Sequence, residues 1–155
     1  MKRIATLLPL LGLMTGCTLV IRPYVPPVDG PHSRLVVDNR FNTPASVFFY
    51  DGAERCTERR GAGKIEPHAS KIFSIPAGRP VSTNVISTMS NNGAYIHFCR
   101  ITIEFDPREG ERYVLSTGYD GEMCRAALTS EGREVPFKAR EYNVPLDEAG
   151  PFCKP

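Results

Sequence analysis

The chain has no CxxC pair, no G-x-S-x-G, no internal repeat, no low-complexity tract and no block of like charge. It also lacks an apolar run of the ~20 residues that a bilayer-spanning helix needs. The missing CxxC removes support for a zinc ribbon or a thioredoxin-like redox site. The missing G-x-S-x-G removes the nucleophile elbow of a serine hydrolase. A formal net charge of +2 is no clear basic excess, so nucleic acid is not an expected partner. Only three histidines occur, His32, His68 and His97. His97 and Cys99 are two apart on one strand face, but Cys99 is better used in a disulfide. His97 then reads as a core-rim histidine with a hydrogen-bond partner. His32 and His68, the latter after Pro67 in a turn, read as solvated. No metal and no cofactor is expected.

What is present begins at the N-terminus. Lys2 and Arg3 precede a short apolar stretch, Ile4 to Met14, that closes on Met14-Thr15-Gly16-Cys17. The stretch has the length of a signal-peptide h-region, and no A-x-A-like cleavage site follows it. These residues resemble the lipobox of bacterial lipoproteins, with Met14 where leucine is usual. The resemblance implies cleavage before Cys17 and lipid on Cys17. Thr18 is not the aspartate that retains such proteins at the inner membrane, which implies the outer membrane and its periplasmic face. Removing residues 1–16 leaves 139 residues, one domain of ordinary size. It also takes Lys2 and Arg3 and brings the formal charge to zero.

Residues 17–32 read as a lipidated tether, since Pro23, Pro26, Pro27 and Pro31 favour extended polyproline II. At ~3.1 Å per residue it would reach about 45 Å. The alternative is that Ile21, Tyr24 and Val25 pack onto the domain as an edge segment. Residues 33–141 read as the domain and 142–155 as a proline-rich tail. From Ser33 onward, runs of β-branched and aromatic residues are separated by Asp-Gly, Pro-Ala-Gly and Asn-Asn-Gly turn signals. Seven runs recur about every ten residues, from Arg34–Asp38 to Met123–Thr129. An eighth, Glu134–Ala139, is interrupted by Pro136 and is a candidate edge strand. Glu54–Arg60 could form an isolated helical turn. The pattern predicts an all-β fold, a mostly antiparallel β-sandwich of about seven or eight strands, immunoglobulin-like or transthyretin-like. In Tyr95–Phe105, alternation sends Tyr95, His97, Cys99, Ile101, Ile103 and Phe105 inward and Arg100, Thr102 and Glu104 to water, while Ile96 and Phe98 break it and suggest an end covered on both faces.

Setting Cys17 aside leaves Cys56, Cys99, Cys124 and Cys153, an even set with three possible pairings in an exported chain. Cys99 and Cys124 both face inward. First and third strands of a flat meander lie about 9.5 Å apart, beyond the ~7 Å limit for a disulfide. Their bond therefore requires opposite sheets or a bent meander. Cys56–Cys153 would then staple the tail.

The body resembles a group of bacterial envelope lipoproteins in Asp51-Gly52 followed by Cys56, Pro76-Ala77-Gly78, Cys99 through Phe105-Asp106-Pro107, Gly110 to Tyr113, and Cys124. The resemblance implies cross-links and turns and carries no activity. Glu104, Asp106 and Glu109 cluster at one turn and read as solubilising carboxylates. Arg55, Arg59, Arg60 and Lys64, interleaved with Glu54 and Glu58, read as a charged loop rather than a phosphate site. The expected function is a non-enzymatic, membrane-anchored accessory with an envelope protein partner. The alternatives are an accessory lipoprotein of a type VI-like secretion apparatus, and a small enzyme or enzyme inhibitor.

Overall fold

The computed structural model describes residues 21–91 and 95–155, without the side chains of residues 90–97. The signal segment, Cys17 and the His97 side chain lie outside the described residues.

Among the described residues there are eleven strands and no helix. They are β1 Arg22–Pro23, β2 His32–Asn39, β3 Ala45–Gly52, β4 Thr57–Ile65, β5 Ser70–Pro76, β6 Val81–Asn91, β7 Tyr95–Phe105, β8 Arg112–Tyr119, β9 Cys124–Ser130, β10 Arg133–Glu134 and β11 Lys138–Ala139. Two sheets form, in the orders β1-β4-β3-β6-β7-β11 and β10-β9-β8-β2-β5. Each holds one parallel pair, β1 with β4 and β2 with β8, so the sheets are mixed rather than wholly antiparallel. The β2–β8 pair follows from topology. The chain crosses between sheets after β7, and β8 enters beside β2 running the same way.

Period-two alternation builds the core. Leu35 and Val37 of β2, Val47 and Phe49 of β3, Ile101, Ile103 and Phe105 of β7, and Leu115 of β8 all lie in one buried cluster. Arg100 is exposed, but Phe98 is exposed and Thr102 is buried, both against expectation. Thr102 lies on the outer face of its sheet beside Asn84, whose amide Nδ2 donates to Thr102 Oγ1 at 2.7 Å. The following chain runs along this edge, with the Arg140 N–H bonded to the Thr102 carbonyl at 2.9 Å.

Two further expectations are corrected. Glu54–Arg60 is not a helical turn: a tight turn at Ala53–Cys56 opens β4, which pairs with β3 along its length. Glu134–Ala139 is not one strand. β10 belongs to one sheet and β11 to the other, and Val135-Pro136-Phe137 crosses between them. Pro136 has no N–H for a ladder, so pairing stops there. Of the two readings of residues 17–32, the structure has the packed edge segment over Arg22–Tyr24, and His32 already belongs to β2. Tyr24 stacks 4.3 Å from Phe49 and donates its hydroxyl to the Ser74 carbonyl at 2.7 Å. The tail is also docked. Phe152 and Cys153 join Tyr50 and Cys56 in a second small core.

Two disulfides close the structure. Cys99 on β7 and Cys124 on β9 sit in opposite sheets with Cα atoms 5.6 Å apart. Cys56 and Cys153 tie the β3–β4 turn to the tail, Cα to Cα 5.3 Å.

Candidate functional site

A broad concavity lies at the end of the sandwich where β7 leaves for β8. It is an open groove of about 1340 Å³, bounded by the β5–β6 turn, the β7–β8 loop and the β10–β11 crossover. Its position follows from the sheet switch: Pro136 pulls the chain off both sheets and leaves the crossover standing away from the loops.

The floor is aromatic. Phe105 and Tyr113 meet edge to face at 5.1 Å, and Phe137 of the crossover adds a wall. The Tyr113 hydroxyl accepts the Arg108 N–H at 2.9 Å. Burial raises the Tyr113 pKa, so the phenol stays protonated. The loops are stitched together. Gly78 N–H donates to Pro107 O at 2.8 Å, Gly110 N–H to His32 O at 2.9 Å, and Ala77 N–H to Pro31 O at 2.9 Å. Gly110 takes φ +75°, a left-handed conformation that glycine adopts without strain. The Ser33 hydroxyl donates to the Arg108 carbonyl. These bonds join the β5–β6 turn and the β7–β8 loop to the start of β2.

The groove's rim carries both signs of charge, with Arg79, Arg108, Arg133 and Lys138 among Asp106, Glu109, Glu111 and Glu134. All three carboxylates of the sequence cluster line it. Glu104 pairs with Arg140 at 3.2 Å, and the Arg140 side chain is only 5% exposed. Arg140 also donates to the carbonyls of Glu54 and Lys154. Glu104 thus joins the crossover and tail to β7 and is not a free acid. Glu111 accepts from Ser130 Oγ at 3.3 Å and faces Arg108 at 3.9 Å. Asp106 and Glu109 are exposed. Acid–base chemistry on two carboxylates needs environments that push them apart, one apolar and one solvated. These carboxylates stand in salt bridges or in water. The arrangement suits recognition of a polar, extended surface.

The basic stretch is not a loop. Arg59 and Arg60 lie on β4, where Arg59 grips Glu148 through two bonds of 2.7 and 2.6 Å. The Arg59 guanidinium also stacks on Phe48 and Phe152, 4.8 and 4.4 Å from their ring centres. Arg60 bonds Asp51. Arg55 and Lys64 are exposed. The four cations therefore form no phosphate cradle.

His32 and His68 are exposed, at opposite ends of the sandwich. His32 Nδ1 lies 3.2 Å from Gly30 O and His68 Nε2 lies 2.9 Å from Asn42 Oδ1. Among the described residues no three His, Cys, Asp or Glu side chains gather as a metal site. Sequence reasoning missed Arg140, whose charge carried no sign of burial, and the groove wall at Phe137. Pro136 was the available signal for the wall, because a proline inside a strand-like run marks a break. No protein-family model matches this chain, and no curated protein matches it.

Proposed function

We propose that the protein is a lipid-anchored envelope lipoprotein, held at the periplasmic face of the outer membrane, that serves as a non-enzymatic binding or structural accessory. One observation carries the reading. Of five cysteines, four are joined in two disulfides, and the fifth is Cys17 in the lipobox-like segment. Disulfides persist in oxidising compartments, which fits export. The groove, aromatic on its floor and mixed in charge at its rim, suits a protein partner more than a reaction. Envelope sandwiches also bind by strand addition.

The finer fold reading is transthyretin-like. An immunoglobulin sandwich keeps its first two strands in one sheet. Here the first two long strands, β2 and β3, lie in different sheets, and this order favours the other alternative.

The test is fractionation of the full chain and its Cys17→Ser variant. The reading expects the wild type on outer membranes, and the variant uncut and off them. An unchanged membrane fraction for the variant would overturn the anchor. Crosslinking in cells then tests the accessory role. A single stoichiometric envelope partner supports it, and the secretion-apparatus form in particular.

A further inference from the structure

The docking of β1 changes where a lipid on Cys17 would hold the domain. A free tether over residues 17–32 would reach about 45 Å. The structure joins the chain to the sandwich already at Arg22, paired with Arg60, and Pro23, paired with Gly61. Ile21 is in close contact as well: a Cβ placed on Gly61 would lie 3.2 Å from Ile21 Cγ2. Three residues lie between Cys17 and Ile21, so the four steps span at most about 14 Å.

The direction of that span follows from the pairing. β1 runs parallel to β4, so its N-terminal end faces the start of β4. There the tail takes over the edge of β4. Ala149 O accepts the Glu58 N–H at 2.8 Å, and Glu148 O accepts the Arg59 N–H at 3.2 Å. Arg22 lies 3.9 Å from the Glu58 carboxylate. Two residues before Glu148 the tail presents Val144-Pro145-Leu146, with Val144 75% and Leu146 104% exposed. A lone exposed leucine needs no explanation. Two aliphatic side chains flanking a proline, on the loop beside the end where the chain departs for Cys17, do need one.

We propose that this tail loop seats on the lipid bilayer that holds Cys17, with Leu146 and Val144 in the interface. The inference rests on Cys17 carrying lipid. The short span holds the sandwich against the head groups, and apolar tips add interfacial contact to the acyl anchor. The loop thereby fixes orientation. The Cys99–Cys124 end of the sandwich, with the β8–β9 turn, points away from the membrane.

The chain contains no tryptophan, so Leu146→Trp introduces a single one, excited selectively on the red side of tyrosine absorption. Leu146 is fully exposed, so the variant keeps the fold. The lipidated full-length variant is reconstituted in phosphatidylethanolamine–phosphatidylglycerol vesicles with and without brominated acyl chains. Met123→Trp, a 50% exposed position at the β8–β9 turn, is the control. The expected result is a blue-shifted, bromolipid-quenched emission at position 146 and an unshifted, unquenched one at 123. Unquenched emission at 146, in protein that floats with vesicles through Cys17, overturns the seating and leaves the lipid anchor standing. Equal quenching at both positions overturns the orientation. A blue shift at 146 that persists in vesicle-free Cys17→Ser protein points to a second copy as occupant and overturns the proposal. Protein that fails to float at all overturns the anchor and the seating together.

Discussion

Asn39 shows how much one buried amide can organise. It is fully buried at the end of β2. Its Nδ2 faces the carbonyls of Thr43, Ile65 and Glu66 at 3.0, 3.1 and 3.0 Å. Its Oδ1 accepts the Phe41 N–H at 3.0 Å. One side chain thus joins the β2–β3 turn to the end of β4, across two sheets. An apolar replacement of similar size keeps the volume but leaves buried carbonyls and an N–H without partners, at about 1–3 kcal/mol each. Asn39→Leu should therefore lower stability by roughly 3 kcal/mol or more, measured by urea unfolding. A loss under ~1 kcal/mol would mean that the carbonyls are satisfied elsewhere. Glu104 makes a related point about chemistry. Sequence position placed it among acidic turn residues, while its partner Arg140 lies 36 positions away and could not be foreseen.

At the scale of elements, β4 is the strand that pattern reading overlooks. Its sequence, Thr57-Glu58-Arg59-Arg60-Gly61-Ala62-Gly63-Lys64-Ile65, has no apolar alternation until Ile65. It holds its place through the hairpin with β3 and through two long-range contacts, the Arg59–Glu148 bridge and the tail backbone. Its register slips against β3 between Val47 and Phe48, so Ala62 is an extra residue opposite them. Gly63 absorbs this bulge at φ +100°, a conformation that side-chain-bearing residues adopt at a cost of about 1–3 kcal/mol. Gly63→Ala should lower stability by that amount, because the only atom near its new Cβ is the far end of a long side chain, Lys71 Nζ at 3.2 Å, and the backbone strain remains. No loss in a denaturation curve would show that the bulge relocates. By contrast β2, β3, β5, β6, β7, β8 and β9 were legible, because each alternates residues that face one shared core. The inward set of β7 was legible down to Cys99 and Phe105. The groove was half legible. Its carboxylates and turn glycines stand out in the sequence, but its far wall depends on a crossover that changes sheets within three residues.

At the scale of the whole molecule, the two disulfides do different work. Chain-entropy reasoning gives the greater stabilisation to Cys56–Cys153, which are 97 positions apart, at about 4.7 kcal/mol. Cys99–Cys124, 25 apart, comes out at about 3.5 kcal/mol. That ranking assumes that removing either bond frees only the unfolded chain. The assumption holds for Cys99–Cys124, which joins β7 and β9 inside the main core. It fails for Cys56–Cys153. The tail rests on a second core of Tyr50, Phe152 and their disulfide, separate from the main cluster. Without the bond the tail can detach while both sheets persist, so the folded state gains freedom too and the net loss shrinks. Cooperative units of this kind open independently and reveal themselves in amide exchange. In the Cys56→Ala/Cys153→Ala variant, the Phe152 N–H, bonded to Cys56 O at 3.1 Å, should exchange fast while the β6–β7 amides stay protected. In Cys99→Ala/Cys124→Ala, protection should fall across both sheets together. If the tail and β6–β7 lose protection in step when Cys56–Cys153 is removed, the tail belongs to the same cooperative unit as the sandwich. The full entropic ranking would then apply.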